Sequence, residues 1–359
     1  MFLKSIKLRN FKNFPEAEFE FSSKINAFVG QNGRGKTNAL DAVHYLALTK
    51  SYLSYSDVLN IRFDEDFFSI EGNFVNQENE EVIFCGVQRD KPKIFKKNAK
   101  VYDRISDHIG QFPLVMISPY DLDLIKEGSE VRRKFIDNII SQSNKEYLKN
   151  LMRYNRVVVQ RNSLLKYFFQ NNTFNKLSLE IYDQELIGLG IAIHQERIKF
   201  IDEFLPIFKE YYKILSKGNE EVEIEYTSQL TENSFEELLK NNLAKDRKAQ
   251  FSTQGIHKDD LNLQIRDYPV KKIGSQGQQK SYLIALKLAQ LELIKKHLGI
   301  TPLLLLDDIF DKLDESRVEQ LILLVNEDRF GQIFISDTHP ERTESIIKRI
   351  NSESKILRL

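Results

Sequence analysis

Eight residues, Gly30-Gln31-Asn32-Gly33-Arg34-Gly35-Lys36-Thr37, restrict the fold of this chain more than any other segment. They read G-x-x-x-x-G-K-T, the pattern of a phosphate-binding loop. The apolar run Ile25–Val29 before them has strand character. The residues after them, Asn38 to Leu48, contain no Gly or Pro and place Leu40, Val43, Ala47 and Leu48 at helical spacing. Strand, glycine loop and helix form the setting this motif requires. The glycines let successive N–H groups turn inward on phosphate oxygens. The helix N-terminus adds about half a positive charge at the same place. Lys36 is expected to reach the β- and γ-phosphates, and the Thr37 hydroxyl to bind Mg²⁺. Gly30 through Asn38 are thus the candidate nucleotide contacts.

The chain has 359 residues, enough for two domains or for one domain with a large insertion. Hydrophobic residues at 41% and charged residues at 29% exclude a disordered chain. Lys+Arg and Asp+Glu both number 52, so any polyanion must be met by a local patch and not by net charge. The single cysteine, Cys85, lies in the apolar run Val82–Val87; it reads as a core residue and permits no internal disulfide. No stretch approaches the ~20 apolar residues that span a bilayer. The N-terminal residues alternate apolar and charged and show no signal-peptide core. A cytoplasmic protein is expected.

Residues 1–117 read mainly as strands: 4–11, 17–21, 68–75, 81–88, 93–97 and the buried run 112–117. A short helix is expected near 55–59. From about residue 121 the pattern turns helical. Helices are expected from Ser129, over 145–169, from about 177 towards 215 with Pro206 breaking or kinking it, and from Ser234 to Lys248. Val222–Tyr226 is a strand within this block. Strand–helix alternation returns after Gly255, with strands at 261–266, 303–306 and 332–336 and helices at 278–298 and 315–325. The spacing therefore predicts an α/β fold cut by a helical insertion: 1–120 and 251–359 as the two parts of a nucleotide-binding domain, 121–250 as the insertion. No internal repeat or sustained heptad is present.

The second part carries its own chemistry. Leu303-Leu304-Leu305-Leu306 runs into Asp307-Asp308, an apolar strand ending in two carboxylates. In a phosphate-loop ATPase the first acid supports Mg²⁺ and the second orients or deprotonates the attacking water. The alternative is a pair of capping or turn aspartates. Ser275-Gln276-Gly277-Gln278-Gln279-Lys280 opens a helix and offers a hydroxyl, a glycine amide and a helix N-terminus as a second anion surface. One subunit needs one phosphate cradle, so the second suits a neighbour's nucleotide; an ordinary polar N-cap is the alternative.

Taken in order, the G-x-N-G-x-G-K-T-N loop, the split domain, S-x-G-Q-Q-K and L-L-L-L-D-D resemble the ABC-type ATPase heads of the SMC group. Within that group they are most similar to the RecF family of bacterial DNA-repair ATPases. Ser118-Pro119-Tyr120-Asp121-Leu122, Arg132-Arg133-Lys134-Phe135-Ile136-Asp137 and Gly255-Ile256-His257-Lys258-Asp259-Asp260-Leu261 resemble that family's further motifs. The resemblance covers nearly the whole chain. It implies a P-loop ABC-type head, a strand-rich lobe plus mixed sheet, with a compact helical lobe in place of a long coiled coil. It implies Gly30, Gly35, Lys36 and Thr37 in the Walker A role and Asp307 as the magnesium acid. Asp308 then stands where many relatives have Glu, which suits slow hydrolysis. Ser275, Gly277 and Gln278 match the signature that caps a partner's γ-phosphate, and Lys312-Leu313-Asp314 the D-loop. His339 lies near the place of the switch histidine, although Asp337-Thr338 before it and Pro340 after it depart from that pattern. Ser118-Pro119-Tyr120 offers no Q-loop glutamine.

The resemblance further implies ATP and Mg²⁺ as cofactors and an ATP-dependent homodimer that clamps DNA at gaps or single-strand/double-strand junctions. RecO- and RecR-type mediators and RecA are the implied partners, and no membrane is. Two segments have the cations for sequence-independent phosphate contact: 91–104 with six Lys/Arg against one Asp, and 126–170 with ten Lys/Arg against four Asp/Glu. The rival readings are a transporter's motor subunit and an SMC-like or nuclease-coupled head. The first is disfavoured by the strand-rich start, the long insertion and the lack of L-S-G-G-Q. The second lacks its heptad arm, C-x-x-C hook or added nuclease domain.

Overall fold

A computed structural model describes residues 1–54, 56–76, 79–218, 220–309, 318–320, 324, 329–350 and 353–359. The strands are β1 (Phe2–Phe11), β2 (Phe14–Glu20), β3 (Ile25–Val29), β4 (Phe67–Asn76), β5 (Asn79–Gln88), β6 (Ile94–Lys97), β7 (Lys100–Val101), β8 (Leu114–Ile117), β9 (Val222–Thr227), β10 (Asp260–Ile265), β11 (Tyr268–Pro269), β12 (Leu303–Asp307), β13 (Ile333–Asp337) and β14 (Ser354–Arg358). The longer helices are α1 (Lys36–Leu48), α2 (Ser129–Ser143), α3 (Lys145–Gln170), α4 (Lys176–Ser216), α5 (Phe235–Asn241), α6 (Leu243–Ala249), α7 (Gln276–Leu298) and α8 (Pro340–Arg349). They fall into two compact units. One holds Met1–Leu122, Tyr211–Gly218 and Gln276–Leu359; the other holds Asp123–Glu210 and Asn219–Ser275.

The first unit contains two sheets. An antiparallel sheet runs β2-β1-β4-β5-β6-β7 and a parallel sheet runs β14-β3-β13-β12-β8. Every residue of β3, β12, β13 and β8 is buried, as the centre of a parallel sheet demands and as the apolar runs Leu303–Leu306 and Leu114–Ile117 announce. One core joins Leu3, Phe11, Phe68, Phe74 and Cys85 of the antiparallel sheet, Leu40, Val43, Tyr45 and Leu46 of α1, and Leu303, Leu305 and Phe334 of the parallel sheet. Ala39 through Ala47 are all buried, so α1 is packed on every side. Its one buried carboxylate, Asp41, is met by Lys12 Nζ at 2.5 Å, the Ser51 hydroxyl at 2.6 Å and the Tyr52 N–H at 2.6 Å. Burial without these partners would cost several kcal/mol.

In the second unit β10 pairs antiparallel with β9 and β11. The two distant segments Arg132–Asp137 and His257–Asp260 meet here. Arg132 forks onto Asp260 at 2.6 and 2.9 Å, and Arg133 donates to the Asp259 carbonyl at 2.6 Å. Buried Arg197 joins Asp137 (2.9 Å) to Asp259 (2.8 Å) and donates to the Ile256 carbonyl at 2.8 Å. These motif residues act here as internal stitching of the unit.

Three expectations are corrected. The helix expected to be broken or kinked at Pro206 is not broken: it runs from Lys176 to Ser216 with Pro206 inside it. Pro206 is exposed, as is Asp202, whose carbonyl it leaves without a donor, while buried Phe200, Phe204 and Phe208 stack along the opposite side. Ser234 caps as expected, accepting the Glu237 N–H at 3.2 Å, but α5 stops at Asn241 and α6 starts afresh at Leu243. The helix expected from Gln278 begins at Gln276. The expected helix 315–325 and the Lys312-Leu313-Asp314 match lie largely outside the described residues; 318–320 and 324 are helical. Among the described residues, no helix is long and apolar enough to cross a membrane.

Candidate functional site

Parallel register places the ends of four buried strands in a row. Asp307 pairs with Ser336, Leu306 with Ile117, and Asp337 with Val29. The segments that follow, Gly30 onward, Ser118, Asp308 and Thr338, therefore leave the sheet along one edge. That carboxyl edge is where open α/β sheets take ligands.

The loop leaves β3 at Gly30 and closes on α1 at Gly35. Gly33 (φ 81°) and Gly35 (φ 102°) lie in the left-handed region, which a side chain would strain. A Cβ on Gly35 would also sit 2.4 Å from the Asn13 amide nitrogen. Gln31, Asn32, Gly33 and Arg34 face solvent. Buried Lys36 folds back and donates from Nζ to the carbonyls of Gly30 (2.7 Å) and Gln31 (3.0 Å). The first turn of α1 contains no acidic residue, so nothing offsets its positive end. Asn38 donates to Asn13 Oδ1 at 2.7 Å, and Asn13 donates to the Arg34 carbonyl at 3.2 Å.

Thr37 and Asp307, 270 residues apart in sequence, meet: the Thr37 hydroxyl donates to Asp307 Oδ1 at 2.9 Å. The Ser336 hydroxyl donates to the same oxygen at 2.7 Å and accepts the Asp308 N–H at 3.0 Å. Burial pushes the Asp307 carboxyl above the usual range; the hydrogen bonds from Ser336 and Thr37 pull it down, Asp308 pushes it up, and Lys36 opposes that. Asp308 itself turns through the left-handed region at φ 49°. A hydroxyl and a carboxylate side by side are hard oxygen donors of the kind Mg²⁺ takes when phosphates and water complete its shell. The donor set fits that ion.

Gly277 and Gln278 lie in the first turn of α7, directly after Ser275, and the hydrogen bonds at Thr37 and Asp307 come from neither. His339 caps α8. Its N–H donates to Asp337 Oδ1 at 3.0 Å, and Arg342 and Thr343 donate to the same carboxylate. Burial raises the Asp337 carboxyl, but these donors and the Arg342 charge outweigh it and hold it low.

Sequence reasoning passed over Ser336, Asn13 and Asp337. None has a motif of its own; each acts through a residue that strand register or loop closure brings near. It also passed over Asp121 as an anchor. Buried Asp121 follows β8, accepts the Ser118 N–H at 2.8 Å and the Tyr52 hydroxyl, and pairs with buried Lys287 of α7 at 2.6 Å.

Comparison with known proteins adds the following. A family described as an AAA domain matches residues 5–241. The DNA replication and repair protein RecF of Flavobacterium johnsoniae is 51% identical over 359 residues, covering 100% of both chains. RecF of Phocaeicola vulgatus is 48% identical over 358 residues, 99% of this chain and 96% of that one. The solved structure of the recombination mediator protein RecF with ATP in the RecFOR pathway superposes with TM-score 0.87 at 30% identity, over 94% of this chain and 92% of that one. An Smc head bound to the C-winged helix domain of ScpA shares the fold alone, with TM-score 0.55 at 16% identity over 100% and 94% of the two chains. With a P-loop ATPase head of this form and full-length relatives of this identity, the chain belongs to the RecF family.

Proposed function

We propose that this chain is an ATP-switched DNA-binding protein of replication and recombinational repair. The observation that carries the reading is the meeting of Thr37 and Asp307 at 2.9 Å beside a loop whose lysine is turned onto its own carbonyls. Gly30–Asn38 and the bare helix end hold the triphosphate, with Lys36 on its outer phosphates. Thr37 and Asp307 hold Mg²⁺, which neutralises charge developing on the phosphates. Asp308 orients or deprotonates the attacking water; a side chain one methylene shorter than Glu suits slow turnover that resets a switch. Ser275, Gly277 and Gln278 cap the nucleotide of a second copy, so that ATP joins two heads.

The dimer then clamps gapped or junction DNA and supports RecA loading with RecO- and RecR-type mediators. The names of the relatives, DNA replication and repair protein and recombination mediator, favour this purpose. The cations available for phosphate contact are fewer than the sequence suggests. Lys93 and Lys97 pair with Asp57 and Glu81; Arg132, Arg153 and Arg161 pair with Asp260, Glu185 and Asp246. Exposed Lys91, Lys100 and Arg104, and Lys145, Lys149, Arg156 and Lys166 along α3, carry the contact.

The test is size analysis of the wild type, Lys36→Ala and Asp308→Asn with and without ATP·Mg²⁺ and gapped duplex. The wild type dimerises only with nucleotide. Lys36→Ala stays monomeric in that assay, and Asp308→Asn gives a longer-lived dimer that retains DNA. Indifference of all three proteins to ATP would end this reading.

A further inference from the structure

Asn13 stands at the tip of the β1–β2 hairpin, between Phe11 and Phe14, which pair across the turn. An asparagine in a tight turn ordinarily turns its amide onto nearby backbone. Asn13 spends it elsewhere. Its Nδ2 donates to the Arg34 carbonyl at 3.2 Å and its Oδ1 accepts from Asn38 Nδ2 at 2.7 Å, partners 21 and 25 residues away. A carbonyl only accepts, so the Arg34 oxygen fixes which end of the amide is the nitrogen. The amide lies over Gly35: a Cβ there would come 2.4 Å from its nitrogen and 2.8 Å from its oxygen. One side chain thus bridges the end of the phosphate loop and the first turn of α1.

The support beneath Asn13 is anchored at two points. Lys12, the residue before it, donates its N–H to the Asn60 carbonyl at 2.8 Å and pairs from Nζ with buried Asp41 of α1 at 2.5 Å. The loop has little else to hold it, since Gln31, Asn32, Gly33 and Arg34 all face solvent. Among the described residues, the Asn13 amide makes the one hydrogen bond that reaches these four from outside the loop and α1. The peptide joining Arg34 to Gly35 is trans, so its carbonyl and its N–H point in opposite directions. With the carbonyl held on Asn13, the Gly35 N–H is turned away from the hairpin. Among the described residues nothing accepts that N–H.

We infer that Asn13 is a positioning residue for nucleotide binding: by keeping the Arg34 carbonyl on the hairpin side, it presents the Gly35 N–H to the β-phosphate. The inference rests on the reading of Gly30–Asn38 as the phosphate cradle. The gain is pre-organisation, because the peptide need not rotate when the nucleotide arrives. The β-phosphate is common to ATP and ADP, and it is held alike before and during reaction at the γ-phosphate. Asn13 therefore acts on affinity and not on turnover.

Full-length Asn13→Ala and Asn13→Leu test this beside the wild type, with fluorescent ATP and ADP analogues. Leucine keeps the volume over Gly35 and cannot donate. In both variants the dissociation constants for ATP and ADP should rise together, about three- to tenfold, the range for one lost hydrogen bond. KM for ATP should rise by the same factor, with kcat at saturating ATP within about twofold of wild type. Circular dichroism and the urea midpoint should not move, because Asn13 is exposed. Wild-type affinity in Asn13→Ala would overturn the inference. Wild-type affinity in Asn13→Leu alone would assign the effect to packing and overturn it as well, as would a loss of kcat or of stability that accounts for the weaker binding. A wild-type protein that binds neither nucleotide would overturn the reading beneath it, and the inference with it.

Discussion

Ser336 shows how much of the site rests on one hydroxyl. It donates to Asp307, accepts from the Asp308 backbone, and is itself buried. Ser336→Ala removes a donor that pulls the Asp307 carboxyl down. Mg²⁺-dependent nucleotide affinity should fall several-fold, and stability by about 1–2 kcal/mol, the range for a buried acceptor losing a partner. A fluorescent ATP analogue titrated with and without Mg²⁺ separates the two effects, because only the Mg²⁺-dependent part should move. Lys36, Thr37 and Asp307 were legible in the sequence because each belongs to a local pattern whose chemistry is nearly unique. Ser336 was not, because its partnership exists only once β12 and β13 pair in register. Asn13 is hidden for the same reason: what it touches depends on where the loop closes.

Among elements, α1 was read correctly in place and nearly in length. Its all-round burial was not, since four apolar positions at helical spacing predict one buried face and the structure buries nine consecutive residues. Burial has a consequence for acid stability. His44 in α1 is held down to about 4, mainly by loss of solvation, and so is His108, whose Nε2 bonds the Leu46 carbonyl at 2.7 Å and whose Nδ1 meets the Tyr102 hydroxyl at 3.0 Å. Both rings are neutral in the fold and take up protons on unfolding below about pH 6.5, the ordinary histidine value. Unfolding therefore binds protons, and stability falls as pH drops from about 6.5 towards 4. Urea midpoints across that window should decline, and His108→Gln should flatten the slope. Helix α7 makes a second case. Lys287→Met strands Asp121 without its cation and should cost about 3–5 kcal/mol, while adding Asp121→Leu should recover much of that. Chemical denaturation of the single and double variants is the check. Strands β9 and β10 were both found in the sequence, but not their pairing, which joins Asp260 to Thr227 and Ile265 to Val222 across a separation that no periodicity encodes.

For the molecule as a whole, the alternation of strand, helix and loop made the class legible, and the motif order made the family legible. Charge was read less well. Tallies along the sequence counted Arg132, Arg153 and Arg161 as surface cations, although they are committed to carboxylates within the fold. The corrected set predicts a specific salt response. Replacing Lys145, Lys149, Arg156 and Lys166 together by Ala should weaken DNA retention on any sequence and make log affinity less steep in log salt by up to about four, whereas Arg161→Ala should unsettle the fold and leave no meaningful slope to compare. Fluorescence anisotropy over a salt series reads both.

The neighbours of β3 have a consequence for how the protein is made. Ile25–Val29 leaves the ribosome long before the two strands that bond to it, Ile333–Asp337 and Ser354–Arg358. Until those strands follow, the loop hangs from a strand with both edges bare, and Asp307, which Thr37 meets, has not been made. A prematurely terminated chain would thus keep an apolar strand open to chaperones and proteases and would never grip a nucleotide. Synthesis through β14 is what completes the sheet beneath the loop.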